Sequence, residues 1–204
     1  IKVWKAREIV QNLTKREPIK TEDFDAVTSG KVILLGEHSV VYGRHAIAVP
    51  VPLNIRVKVE EADNGVLLMI PSWGVEYRLD KKPEERQSFE KPAALILEKM
   101  NLSHTGMKIE VFSDIPRGMG LGGSAVIAVS IIKALNNHFG MNLTDQEINK
   151  MAYESEKIAH GNPSGIDNTI ATYGHPIIYK KGETALKESL QIKKPFDLVL
   201  AFSK

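Results

Sequence analysis

Four glycines fall within six positions, Gly118, Gly120, Gly122 and Gly123, and they separate two segments of different periodicity. Before them, Met107, Ile109 and Val111 alternate with Lys108 and Glu110, the period-two pattern of a half-buried strand. After them, Ala128, Ile131, Ile132, Leu135 and Phe139 recur at helical spacing and predict a helix over 124–139. Strand, glycine loop and helix in that order bring backbone N–H groups and the positive end of a helix to one spot. A nucleotide phosphate is the natural guest. The same residues also suit a plain connecting turn.

Two well-known phosphate patterns fail on context. Gly118-x-Gly120-x-x-Gly123 spells a dinucleotide fingerprint, which needs a second parallel strand after the helix with an acid near its end. Here Thr144-Asp-Gln-Glu147 is a capping-box sequence that starts another helix, reaching about residue 159, with Ile148, Met151 and Ala152 as its apolar face. Gly118 and Gly123 also have the spacing of half a P-loop. Ser124 then follows where that motif requires Lys.

The rest of the chain reads as strands over 31–35, 46–49, 55–61, 66–70, 75–79, 107–112, 176–180 and 198–202, with a helix opening at Pro92 and running to about 100. Residues 2–13 have the spacing of a short amphipathic helix, 14–25 read as a linker, 80–91 as a charged connection, and 160–174 as a polar loop broken by glycine. Strands come first and a mixture follows, which predicts an α+β fold with antiparallel pairing. The expected division is a helix and linker over 1–25 and one domain over 26–204.

Composition narrows the function classes. The chain has 204 residues, 43% hydrophobic and 25% charged, which fits a globular protein with a core and excludes whole-chain disorder. Lys plus Arg is 27 and Asp plus Glu is 25, with no basic stripe interleaved with aromatics, so no nucleic-acid partner is expected. No apolar run approaches the roughly 20 residues of a membrane span, so no membrane partner is expected either. The chain lacks Cys, which removes thiolate metal sites and cysteine nucleophiles. A cytoplasmic location is the expectation.

Two more segments carry candidate chemistry. Lys31 opens the apolar run 32–35, and Glu37 and His38 follow it just after Gly36. Each alone suits a solvated surface turn. Glu156 and His160 lie four apart at a helix end and could share a face, as metal ligands or as a simple helix-end pair. Asp167 lies in the Gly/Asn/Pro-rich stretch, where it suits a turn former or a held catalytic group.

Taken together, three segments resemble the GHMP kinases, the small-molecule kinases named for galactose, homoserine, mevalonate and phosphomevalonate. Ser29-Gly-Lys-Val-Ile-Leu-Leu-Gly-Glu-His38 resembles the family's first motif. Pro116-x-x-x-Gly-Leu-Gly-Gly-Ser-Ala125 resembles its phosphate loop, and His160-Gly-Asn-Pro-Ser-Gly-Ile-Asp-Asn168 resembles the segment with its catalytic Asp. The likeness covers about residues 27–204. His38 and His160 make it most similar to the mevalonate-phosphorylating branch. Phosphomevalonate and homoserine kinases are the sister alternative, and a non-catalytic RNA-binding or interaction module is the alternative of another class.

The resemblance implies a ribosomal-protein-like α+β fold, ATP and Mg²⁺ as cofactors, and a small-molecule substrate, mevalonate, on the route to isoprenoids. Pro116, Gly118, Gly120, Leu121, Gly122, Gly123, Ser124 and Ala125 would hold the ATP phosphates. Ser124 and Glu156 would serve Mg²⁺, Lys31 and Asp167 would be catalytic, and Glu37 and His38 would bind substrate. The loop departs from the family in having Gly123-Ser124 where two adjacent serines are usual. The family's third glycine-rich motif belongs to a C-terminal domain, so the resemblance implies that this domain is missing and the 204-residue chain is partial. Alone it would be inactive and prone to self-association. A homodimer is allowed.

Overall fold

The computed structural model describes residues 2–4, 23–80, 90–182, 186–192, 194 and 197–202. The chain divides into two compact units. One is Phe24–Leu190, and the other joins Ile1–Asp23 with Gln191–Lys204.

In the smaller unit, β1 (Lys2–Trp4) pairs antiparallel with β9 (Leu200–Phe202). The sequence pattern predicts a helix over 2–13, and its first residues are instead extended. Val3 and Trp4 favour strands, and their backbone groups are satisfied by Leu200 and Ala201. The rest of that predicted helix, the linker up to residue 22 and most of the charged connection lie outside the described residues.

The larger unit is built on a seven-stranded sheet in the order β5-β4-β6-β3-β7-β8, with β2 also paired to β3. Its strands are β2 (Ala26–Leu35), β3 (His45–Glu61), β4 (Val66–Ile70), β5 (Val75–Arg78), β6 (Met107–Ser113), β7 (Ile177–Lys180) and β8 (Leu186–Ser189). Every pair is antiparallel except β4 with β6. The long β3 fuses two predicted strands across Pro50 and Pro52. Its pairing with β6 begins at Ile55 and its pairing with β7 ends at Ala48. The prolines, which have no N–H to donate, therefore fall between those two pairings, next to a register shift against β2 at Ser29/Gly30.

Helices α1 (Glu90–Lys99), α2 (Gly123–His138), α3 (Asp145–His160) and α4 (Ile166–Tyr173) pack together and against β2 and β3. On β3, Ile55, Val57 and Val59 are buried, whereas Lys58 faces solvent. Each fully buried side chain of this size contributes about 1.5–3 kcal/mol by leaving water. The α3 start is a complete capping box. Glu147 N–H donates to Thr144 Oγ1 at 3.3 Å, and Thr144 N–H donates to Glu147 Oε2 at 2.8 Å. Helix α1 starts two residues ahead of Pro92, so that proline is its third residue.

Candidate active site

The glycine loop and the start of α2 form the floor of a cleft of about 730 Å³. All residues of 116–125 line it, including the eight expected to hold phosphate. Gly122 is the N-cap of α2 at φ 72°, with no side chain capping the helix and no acid in its first turn. The first N–H groups of α2 are thus left for an anion, with the helix dipole behind them. A Cβ on Gly122 would lie 2.8 Å from Lys31 Cε, so this glycine is what lets the lysine stem pass over the loop.

Lys31 is buried on β2, with its backbone N–H donating to Leu121 O at 3.3 Å. Its Nζ lies 3.0 Å from Asp167 Oδ1. Asp167 sits in the first turn of α4, not in the loop that the sequence suggests, and its side chain stays 33% exposed toward the cleft. Gly165 is the N-cap at φ 86°, a backbone state that glycine adopts freely, and it turns the chain directly into the helix.

Ser124 Oγ donates to Glu156 Oε1 at 2.5 Å, joining α2 to α3 at the edge of the loop. His160 Nε2 lies 3.7 Å from Glu156 Oε2. Burial pushes the Glu156 carboxyl above the usual carboxylate range, and Asp167 adds to that. The Ser124 hydrogen bond and His160 act the other way. Two facing oxygen donors, one of them a buried carboxyl, are the type of set a hard cation accepts beside phosphate oxygens.

Lys31, Glu37, Ser124, Glu156, His160 and Asp167 all line the same cleft. His38 does not belong to its lining. It is exposed at the start of the short 3₁₀ turn Ser39–Tyr42, so the expected substrate-binding pair is separated in this structure.

The sequence reading missed the apolar wing of the cleft. Trp73, Ile70, Tyr77 and Ile96 line it, and Trp73 Nε1 donates to Ile115 O at 3.2 Å. Trp73 follows Pro71 in a single 3₁₀ turn between β4 and β5. A lone Trp at a turn could have raised the question, but nothing local links it to the glycine loop. Also missed was the amide contact in which the buried Asn168 donates through Nδ2 to Asn149 Oδ1 at 2.6 Å, fastening α4 to α3.

Residues 88–175 match the family model for the GHMP kinases N terminal domain. The mevalonate kinase of Pyrococcus furiosus is 36% identical over 173 residues, covering 78% of this chain and 52% of that protein. That of Archaeoglobus fulgidus is 35% identical over 172 residues, covering 84% and 55%. The crystal structure of the Methanococcus jannaschii mevalonate kinase aligns with a TM-score of 0.70 at 28% identity, covering 82% of this chain and 56% of that one.

This chain belongs to the GHMP kinase family. Its α+β fold is that of the family's N-terminal domain, and the mixed sheet and packed helices match those of solved mevalonate kinases. The chain spans about half the length of the curated relatives it matches.

Proposed function

We propose that this chain provides the phosphate-binding and catalytic wall of an ATP-dependent kinase that phosphorylates the primary hydroxyl of mevalonate, giving 5-phosphomevalonate and ADP. The observation that carries the reading is the Lys31–Asp167 ion pair of 3.0 Å, opening on the same cleft as the glycine loop. The likeness to several mevalonate kinases supports the substrate.

Phosphoryl transfer asks a protein for positioning and charge neutralisation more than for covalent chemistry. The loop N–H groups and the start of α2 hold the ATP phosphates. Asp167 orients the substrate hydroxyl and accepts its proton as the oxygen bonds to the γ-phosphorus and the bond to ADP breaks. Lys31 offsets negative charge on the attacking oxygen and on Asp167. Ser124 and Glu156 are the residues that would hold Mg²⁺, which supplies charge neutralisation on the phosphates when bound. Glu37 lines the cleft as a candidate for substrate contact.

The test is a coupled ADP-release assay on the full-length protein with mevalonate, homoserine and galactose in parallel. Mevalonate is expected to give the highest kcat/KM. Preference for another of the three would overturn the substrate, and no turnover with any would overturn the kinase reading.

A further inference from the structure

The elements that deliver Asp167 are braced from β7. Asp167 follows Gly165 by two positions, so its aim depends on how the chain enters α4. Tyr179 on β7 is 4% exposed, and its hydroxyl donates to Ser164 O at 2.9 Å. A Cβ on Gly165 would lie 2.5 Å from the Tyr179 hydroxyl oxygen and 3.3 Å from Tyr153 Cε2. The turn is thus clasped between two tyrosines. Two residues further along the strand direction, Lys181 Nζ donates to Asn162 Oδ1 at 2.6 Å and to Pro163 O at 2.9 Å. Residues 162, 163 and 164 are therefore all tied to one short segment.

That segment shares a frame with the other half of the ion pair. Tyr179 pairs with Ala46 on β3, and Lys31 pairs with Pro50 on the same strand. The cation and the brace of its acid are registered four residues apart along β3. Tyr179 also belongs to the buried cluster of Ile166, Ile170 and Ile177, so its ring is held by packing while its hydroxyl reaches the loop.

We infer that Tyr179, assisted by Lys181, is a positioning residue that sets the distance between Asp167 and Lys31 by holding the Ser164 carbonyl. The inference rests on the reading of Asp167 as the group that takes the substrate proton. Burial, helped by Tyr153, pushes the Tyr179 hydroxyl up to about 12, so it remains a donor across the working pH range of a kinase. Neither residue is counted among those that hold phosphate, metal or substrate.

The test is a double-mutant cycle in the full-length protein, with ATP and mevalonate and a radiolabelled phosphate readout sensitive enough for residual activity. Tyr179→Phe keeps the ring and removes only the hydroxyl. It is expected to lower kcat about 10- to 100-fold, the effect of a small misplacement at the reacting centre, while KM for ATP stays within about two-fold. In an Asp167→Asn background the same change is expected to have no further effect, because Tyr179 acts through Asp167. Unchanged kcat in Tyr179→Phe, with Asp167→Asn inactive, would overturn the brace alone. Independent, multiplying losses would also overturn it. Near-normal turnover in Asp167→Asn would overturn the underlying reading and the brace with it. Should Tyr179→Phe not fold, Lys181→Met carries the same test from the surface, with a kcat loss at constant KM supporting the brace and unchanged kcat overturning it.

Discussion

Lys31 Nζ and Asp167 Oδ1 meet at 3.0 Å, although β2 and α4 lie far apart in the sequence. The two partners differ in burial, 4% against 33% side-chain exposure. Removing the acid leaves a cation with little water. Removing the cation leaves an acid that solvent still reaches. Asp167→Asn is therefore expected to lower Tm more than Lys31→Met, because an uncompensated buried charge is the costlier remnant. Thermal unfolding of both variants at neutral pH checks this, and the reverse order would contradict the burial argument.

The same pair predicts a kinetic result. Asp167→Asn should reduce kcat by about 10²- to 10⁴-fold, the usual contribution of a positioned acid or base. Nucleotide affinity, measured by titration with an ATP analogue, should stay near that of the parent because the glycine loop is untouched.

Ser124→Ala and Glu156→Gln should each raise the Mg²⁺ concentration needed for half-maximal rate. The parent should also need more Mg²⁺ as pH falls. Glu156 has a pKa raised above its ordinary 4.5, chiefly by burial, so a proton competes for its carboxyl from higher pH than on a free carboxylate. Above that raised pKa the carboxylate is available, and below it the proton must be displaced. Glu156→Gln should flatten this pH dependence. Mg²⁺ titrations at several pH values decide it, and an unchanged dependence in both variants would reduce the pair to a helix–helix contact.

Two loop glycines should respond differently to alanine. Gly118 and Gly122 both have positive φ, 77° and 72°, and a side chain there costs about 1–2 kcal/mol. A Cβ on Gly118 meets nothing within 4 Å, whereas one on Gly122 meets Lys31 Cε at 2.8 Å and Cγ at 3.0 Å. Gly122→Ala should therefore lose more Tm and also displace Lys31. Equal losses in the two variants would contradict the close approach.

Thr144→Ala should cost about 1 kcal/mol by opening the capping box of α3. The box lies at the opposite end of α3 from Glu156 and His160. Denaturant unfolding should register the loss with kcat nearly unchanged.

How much of this was legible depended on whether the signal was local. The run Met107–Ser113, the glycine loop and the start of α2 are written in adjacent residues, as is the capping box at Thr144, and all formed as their patterns predict. The three motif segments with Lys31, Ser124 and Asp167, and Glu156 just ahead of the third, could be read through resemblance. Their convergence on one cleft is a property of the topology. Helix α4 was hidden because its eight residues follow Asn162, Pro163 and Gly165, which read as a loop, while its stability comes from Ile166 and Ile170 packing under β7. The fusion of β3 across Pro50 and Pro52 was hidden because only the pairing pattern reveals that the two prolines fall between the β6 and β7 pairings. Trp73 and Tyr179 acquire their roles from partners more than ten positions away, which no window of sequence contains.

The most direct test of the account is a crystal structure of the full-length protein with a non-hydrolysable ATP analogue and mevalonate bound together. The β- and γ-phosphates are expected to rest on the N–H groups at the start of α2. The mevalonate primary hydroxyl is expected to lie about 2.6–3.2 Å from an Asp167 carboxylate oxygen, with Lys31 beside both. Phosphates bound away from the glycine loop, or a substrate hydroxyl turned away from Asp167, would contradict it.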